Sequence, residues 1–317
     1  MKKILVTGAV GQIGSELTIA LRERYDSDNV VAGGRKTQPS EELRNSGPFE
    51  TVDCTNIEAV NDVVKKYQID TIIHLAALLS AVAESNPQLA WEVNVNAMIN
   101  VLEVAREQKC AFFTPSSIGA FGPTTPLDNT PQDTIQRPTT MYGVTKVSGE
   151  LLCDYYYQKF GVDTRGLRYP GIISYVTLPG GGTTDYAVEI FYEAIKNQKY
   201  TCFLKEGTRL DMMYMPDAIK ACIDLMEADP DKLKHRNAFN VTAMSFAPED
   251  IAAEVKKLIP EFTMDYDVDP LRQGIAESWP NYMDDTAAKE EWGWQLDYDL
   301  PAMCKDMVEK LTVKLKQ

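Results

Sequence analysis

Three glycines near the start of the chain constrain everything after them. Gly8-Ala9-Val10-Gly11-Gln12-Ile13-Gly14 follows a short apolar run at residues 3–7 and opens a stretch of helical spacing at 12–24. A strand that passes into a helix through such a turn uses each glycine differently: one for the tight turn, one for close backbone approach to a pyrophosphate, one for packing the helix on the sheet. The first turn of that helix presents free N–H groups and a positive dipole end to the phosphates. The spacing is GxxGxxG, where GxGxxG is commoner; its position between strand and helix gives the motif its force. Gly8, Gly11, Gln12, Ile13 and Gly14 are therefore the candidate phosphate cradle.

The rest of the first half repeats the alternation. Residues 29–32, 49–52, 71–75 and 111–114 read as strands, and 57–67 and 87–108 carry helical spacing. Right-handed crossovers then give a parallel sheet covered on both faces, an α/β fold of the Rossmann-type doubly wound class. The second half differs. A helical pattern at 141–160 and a strand at 164–169 precede a Gly/Pro-rich stretch, Leu178-Pro179-Gly180-Gly181-Gly182, and helices separated by prolines. At 317 residues the chain exceeds one ordinary core and fits two lobes around a cleft. We expect a dinucleotide-binding domain over 1–170 and a smaller, mainly substrate-binding lobe over 171–317, with some chain crossing back.

Composition removes several function classes. Acidic residues number 46 against 32 basic, a net charge of −14, which argues against nucleic acid or an anionic membrane as partner. No run approaches the roughly 20 apolar residues of a membrane span. Met1-Lys2-Lys3-Ile4 leads directly into a strand without the apolar core of a signal peptide. The six cysteines (Cys54, Cys110, Cys153, Cys202, Cys222, Cys304) are scattered without a CxxC pair and read as free thiols, pointing to a reducing cytoplasm. The two histidines, His74 and His235, have no metal-ligand spacing, so neither a zinc site nor a Ser–His–Asp hydrolase is expected. His74, inside Thr71-Ile72-Ile73-His74-Leu75, reads as a packed strand residue.

Two further strand ends suit a dinucleotide. Asp53 follows the third strand, where a carboxylate can accept from an adenine amino group. Leu75-Ala76-Ala77 follows the fourth, where small residues admit the cofactor to the backbone.

The acid–base candidates are Tyr142 and Lys146, four apart on one face of a helix. A neighbouring cation favours phenolate over phenol. A phenolate can take a hydroxyl proton as hydride leaves the same carbon, and a nearby serine can orient the reacting oxygen. The spacing alone is weak, because Tyr155/Lys159 and Tyr192/Lys196 share it. Tyr142, however, starts its helix after Pro138-Thr139-Thr140 and follows the strand end Thr114-Pro115-Ser116-Ser117 by one loop. The other two pairs read as surface or packing residues.

The glycine loop with Ser117, Tyr142 and Lys146 resembles the extended short-chain dehydrogenase/reductases, over nearly the whole chain. In that family the serine stands five before the glycine of a hydrophobic-Tyr/Phe-Gly turn, here Ala120-Phe121-Gly122, which selects Ser117 over Ser116. His74-Leu75-Ala76-Ala77-Leu78-Leu79-Ser80, the segment 113–122, Pro179-Gly180-Gly181-Gly182-Thr183-Thr184-Asp185-Tyr186-Ala187, the segment 267–276 and Ser278-Trp279-Pro280 narrow the resemblance to short-chain L-threonine 3-dehydrogenases. The resemblance implies NAD-dependent oxidation of L-threonine to 2-amino-3-oxobutyrate, commonly in a homodimer. It also implies cofactor contacts from Cys54, Asn94, Tyr169 and Ile172 besides Tyr142 and Lys146, and substrate contacts from Ser117, Tyr142 and Trp279; Ser80, in the loop after the fourth strand, can add a hydroxyl.

One departure stands out. After the second strand such enzymes place an acidic residue on the ribose, whereas this chain has Ala32-Gly33-Gly34-Arg35-Lys36. Arg35 is thus a candidate cofactor contact suited to a 2′-phosphate; the family resemblance favours NAD.

A free amino acid needs donors for its carboxylate and acceptors for its ammonium. Gly180-Gly181-Gly182-Thr183-Thr184-Asp185 offers convergent backbone N–H groups, two hydroxyls and a carboxylate at a helix start. Its glycines also suit a lid. The competing reading is an ordinary cap by Thr183 or Thr184 with Asp185 complementing the dipole. Two rival functions remain: a sugar-nucleotide epimerase or dehydratase, and a non-catalytic NAD-sensing regulator. A nucleotide diphosphate calls for a basic pocket, yet 178–200 holds Lys196 and Lys199 against Asp185, Glu189 and Glu193. The complete Ser117–Tyr142–Lys146 set argues against the regulator.

Overall fold

Strand β1 (Ile4–Thr7) is buried along its whole length and turns at Gly8 into α1 (Gln12–Tyr25). The computed structural model describes residues 1–178 and 182–316, apart from the side chain of residue 81. Then follow β2 (Val30–Gly34), α2 (Glu41–Asn45), β3 (Phe49–Thr51), α3 (Ile57–Tyr67), β4 (Thr71–His74), α4 (Ser80–Ser85), α5 (Pro87–Trp91), α6 (Ala97–Gln108), β5 (Ala111–Ser117), α7 (Met141–Phe160) and β6 (Thr164–Tyr169). The sheet order is 239–240, β6, β5, β4, β1, β2, β3. β1 pairs in parallel with β2 and β4, β2 with β3, and β4 with β5. The order reverses beside β1, which places a ligand crevice at the carboxyl ends of β1 and β4. This is the doubly wound α/β fold expected from the strand–helix alternation.

The chain divides into two compact units: Met1–Ala120, Pro138–Arg168 and Ile219–Phe239 form the first, and Phe121–Arg137, Tyr169–Ala218 and Asn240–Gln317 the second. The first unit has a core of Leu5, Val31, Ile72 and Phe112 from the strands, Val60 and Val64 from α3, Val101 and Leu102 from α6, and Cys153 from α7. Burial on both faces explains why its strands read as continuous apolar runs.

After β6 come β7 (Gly171–Ile173), α8 (Tyr186–Asn197), β8 (Lys199–Cys202), β9 (Leu210–Tyr214), α9 (Met215–Glu227) and β10 (Phe239–Asn240). The chain closes with β11 (Met244–Phe246), α10 (Pro248–Leu258), β12 (Thr263–Tyr266), α11 (Pro270–Ala276), α12 (Thr286–Trp292) and α13 (Leu300–Lys314). In the second unit β9 pairs in parallel with β7 and antiparallel with β11, and β8 with β12 in parallel.

Three elements differ from their sequence reading. β2 continues through Gly33-Gly34, where side chains would crowd the Val6 carbonyl and the Phe49 ring. β5 extends past Pro115 to Ser117. The helix expected over 87–108 is interrupted by a π turn, Glu92–Asn96. An extra residue in a helical turn redirects a side chain, a device common at functional sites.

Candidate active site

Gly8 has φ +74° and lies so near the fourth strand end that a Cβ there would stand 2.7 Å from the Ala76 nitrogen. A Cβ on Gly14 would fall 2.2 Å from the Gly8 carbonyl oxygen. Only glycine permits this closure of loop on loop. Gly11 caps α1 without a side-chain hydrogen bond, and the first turn, which holds Gln12 and Ile13, carries no acidic residue. The helix end therefore suits an anion.

Neighbouring strand ends complete this region. Thr7 accepts from the Leu75 nitrogen at 3.0 Å. Asp53 Oδ1 accepts from the Thr55 nitrogen and hydroxyl at 3.0 and 2.8 Å, and Oδ2 stands 3.8 Å from the Arg35 guanidinium. Burial pushes the Cys54 thiol up to about 11, so it stays protonated at the edge of the core. Asn94, in the π turn, accepts from the Leu78 nitrogen at 2.7 Å and donates to the Leu78 carbonyl and the Thr145 hydroxyl, both at 3.1 Å. It fastens the loop after β4 to α7.

Ser117, Tyr142 and Lys146 come together at the end of β5 and the start of α7. Ser117 Oγ accepts from the Gly119 nitrogen at 3.1 Å. A methyl built on Gly119 would lie 3.6 Å from that Oγ and 3.2 Å from Cδ1 and Cε1 of Tyr142, so serine and phenol flank one glycine. The Lys146 ammonium stands 5.4 Å from the Tyr142 ring centroid and donates to the Pro115 carbonyl at 2.7 Å. Thr140 caps α7 by accepting from the Gly143 nitrogen at 3.1 Å. Ser116 is buried, and its hydroxyl goes to Glu150. Strand alternation thus leaves Ser117 as the hydroxyl beside Tyr142. Tyr155 is exposed and stacks edge-on against Tyr156 and Phe160. Tyr192 is a buried residue of the second unit, with the Lys196 ammonium 5.5 Å from its ring centroid.

His74 is a packed residue, as its strand setting suggests. Its Nδ1 is 2.8 Å from the Thr7 hydroxyl, and burial, with the Lys146 cation adding to it, pushes its pKa down to about 3. The ring is neutral throughout the physiological range.

The remaining candidates have varied settings. Ser80 starts α4 in the first unit. In the second unit Tyr169 donates to the Ala218 carbonyl at 2.6 Å, and Ile172 sits in β7 opposite Met213. Trp279 and Thr183 are buried, while Thr184 packs its methyl against Gly171. Asp185 occupies the N-cap position of α8 without a side-chain cap bond, and its Oδ2 accepts from the Gly182 nitrogen at 2.6 Å. Neither threonine holds the cap position. Pro179, Gly180 and Gly181, on which the anion-binding and lid expectations chiefly rest, lie outside the described residues. Among the described residues no cluster of three or more His, Cys, Asp or Glu side chains could hold a metal, and no helix is long and apolar enough to cross a membrane.

A glycine-closed helix N-terminus in the same unit as a Ser–Tyr–Lys cluster is the arrangement expected of a nicotinamide-dependent fold, and residues 4–242 match the model of the NAD dependent epimerase/dehydratase family. The chain belongs to this family. It is 54% identical over 314 residues to an uncharacterised epimerase/dehydratase of Staphylococcus haemolyticus, covering 99% of each. It is also similar to the L-threonine dehydrogenase of Clostridium difficile, with 62% identity, a TM-score of 0.98, and 99% and 98% of the two chains covered. A monomeric L-threonine 3-dehydrogenase from a metagenome shares 43% identity at a TM-score of 0.93 over 99% and 100% of the chains. The extended short-chain resemblance read from the glycine loop and the Ser/Tyr/Lys set is thus established.

Family membership does not reveal how this member braces its cluster, and sequence reasoning missed three bracing residues. Gly119 and Gly143 let the strand end and helix start approach one another, and Glu150 is buried behind them. Glu150 stands four after Lys146, a spacing visible in the sequence. Nothing local distinguishes it from a solvated helix carboxylate.

Proposed function

We propose that this family member oxidises L-threonine at its C3 hydroxyl with NAD, yielding 2-amino-3-oxobutyrate and NADH in threonine catabolism. The convergence of Ser117 and Tyr142 on Gly119, with Lys146 beside the phenol, carries the reaction class. Similarity to threonine dehydrogenases across nearly the full length supports the substrate.

Bound NAD supplies the two-electron acceptor for the hydride. The Gly8–Gly14 cradle fits its pyrophosphate, because side chains at Gly8 and Gly14 would strike backbone and no side chain caps the α1 terminus. Gln12 and Ile13 offer first-turn N–H groups; Arg35, Asp53 and Cys54 serve the adenosine end; Leu75, Ala76 and Ala77 give backbone approach; Asn94, Tyr169 and Ile172 shape the remainder. Ser117 orients the substrate hydroxyl, and Tyr142 takes its proton as the C–H electron pair departs. Lys146 places a positive charge beside the phenol and holds the nicotinamide ribose. Thr183 and Thr184 serve the carboxylate, Asp185 the ammonium, and Ser80 and Trp279 complete the substrate contacts.

We further propose a cytoplasmic homodimer. The six cysteines are buried free thiols, which suits a reducing compartment. Val144, Leu151 and Tyr155 form an exposed stripe on α7, and Val82, Leu89 and Trp91 are exposed on α4 and α5, which contact α7. Such a face suits a second copy. A monomeric relative makes the solution mass a real test, and a monomer by light scattering would refute the dimer.

A screen of L-threonine, L-serine and UDP-galactose with NAD, followed by NADH absorbance, tests the function. Net NADH should form fastest with L-threonine. Conversion of the sugar nucleotide without net NADH, and no response to threonine, would replace this reading with the epimerase.

A further inference from the structure

α7 is tied to the end of β5 by two successive rungs, one helical turn apart. The upper rung is the Lys146 ammonium on the Pro115 carbonyl at 2.7 Å. The lower is the Ser116 hydroxyl on the Glu150 carboxylate. Glu150 and Arg168 are both buried, at 5% and 8% side-chain exposure, and the guanidinium on β6 grips the carboxylate through Nε at 3.0 Å and Nη2 at 2.8 Å. The Glu150 carbonyl accepts from Asn237 at 2.9 Å, so the backbone at this point of α7 is held as well. A cavity of about 30 Å³ borders both rungs, lined by Pro115, Ser116, Lys146 and Glu150 together with His74 and Thr114.

A buried ion pair contributes little net stability, since desolvation offsets the attraction and apolar replacements are often neutral. Its directional bonds do fix where a helix stands against a strand. Here the strand residues, Pro115 and Ser116, are the two that precede Ser117, and the helix residue Glu150 lies one turn below Lys146.

The geometry points to Glu150 as a positioning residue for the active site: held by Arg168, it locks the start of α7 against the end of β5 and so sets Tyr142 and Lys146 against Ser117. This rests on the catalytic reading above. Misplacement of a reacting group by about 1 Å costs on the order of 100-fold in rate.

The test is the paired Glu150→Met/Arg168→Met variant, which leaves no lone buried charge. We expect a cooperatively folding protein with kcat lowered at least ~30-fold and KM for L-threonine and NAD within about threefold of wild type. A folded variant with kcat within about twofold of wild type, or with a raised KM alone, would overturn the inference. Should the pair variant not fold, Ser116→Ala decides; it removes only the strand hydroxyl and keeps the ion pair. It should lower kcat by ~3–10-fold at unchanged KM, and undiminished kcat would overturn the inference. Wild-type turnover of L-threonine is measured first. Its absence would sink the proposed function alone, and the positioning role is then read from a crystal structure of the pair variant, or of Ser116→Ala if that is the variant that folds. There Lys146 should stand beyond about 3.5 Å from the Pro115 carbonyl; a retained hydrogen bond would overturn it.

Discussion

Gly143 faces the Gly119 carbonyl oxygen so closely that a methyl group at 143 would stand 2.3 Å from it and 2.4 Å from Pro138 Cβ. Backbone cannot yield as a side-chain tip can, so Gly143→Ala must push the start of α7 off the strand end. Overpacking of this kind costs ~1–3 kcal/mol, and the displaced cluster should lose ~10–100-fold in kcat. Thermal melts and steady-state kinetics read both. Gly274→Ala is the control: nothing lies within 4 Å of its added carbon, it sits in α11, and its melting temperature should hold or rise.

Tyr142→Phe removes the proposed proton acceptor and little else, and should cost at least ~100-fold in kcat. Tyr155→Phe and Tyr192→Phe keep their rings and should turn over near the wild-type rate. Full activity in Tyr142→Phe would reject the general-base assignment.

Arg35 is drawn toward Asp53, at 3.8 Å, with both side chains over 40% exposed. That pairing gives the guanidinium a partner other than a phosphate. We expect kcat/KM for NAD to exceed that for NADP, and Arg35→Ala to reduce the residual NADP activity further. A wild-type preference for NADP would instead make Arg35 the ligand of a 2′-phosphate.

His74 gives a pH dependence of stability. Its folded-state pKa of about 3 lies below its unfolded value near 6.5, so between those values the unfolded chain binds a proton that the native state refuses. The His74 contribution is fully present above pH 6.5 and is lost as pH falls toward 3. The slope approaches about 1.4 kcal/mol per pH unit. His74→Gln, which keeps a polar group for Thr7, should flatten the urea-unfolding free energy against pH by about one proton over that window. An unchanged slope would mean that the native ring is accessible to protons.

Most of the first unit was legible because its signals are local. A run such as Ile4–Thr7, glycines at 8, 11 and 14, and helical spacing from Gln12 each depend on residues within one turn or strand. The same holds for Tyr142 and Lys146, whose shared face follows from helical geometry, and for Ser117 at a strand end. Asn94 follows from family likeness alone; the π turn that aims it at Leu78 and Thr145 has no local periodic signature.

The chain's pattern by itself determined the doubly wound class, the place of the phosphate loop and the residue types available for proton transfer. Tertiary structure committed Ser116 to Glu150 and left Ser117 beside Tyr142, the pair that chain order had already singled out. It also buried Glu150 against Arg168 and put Gly143 on Gly119. The physical reason is range. Turn chemistry and periodicity are written over a few neighbouring residues, whereas burial and close approach depend on which distant segment covers a side chain, and two carboxylates on one helix look alike until that cover is in place.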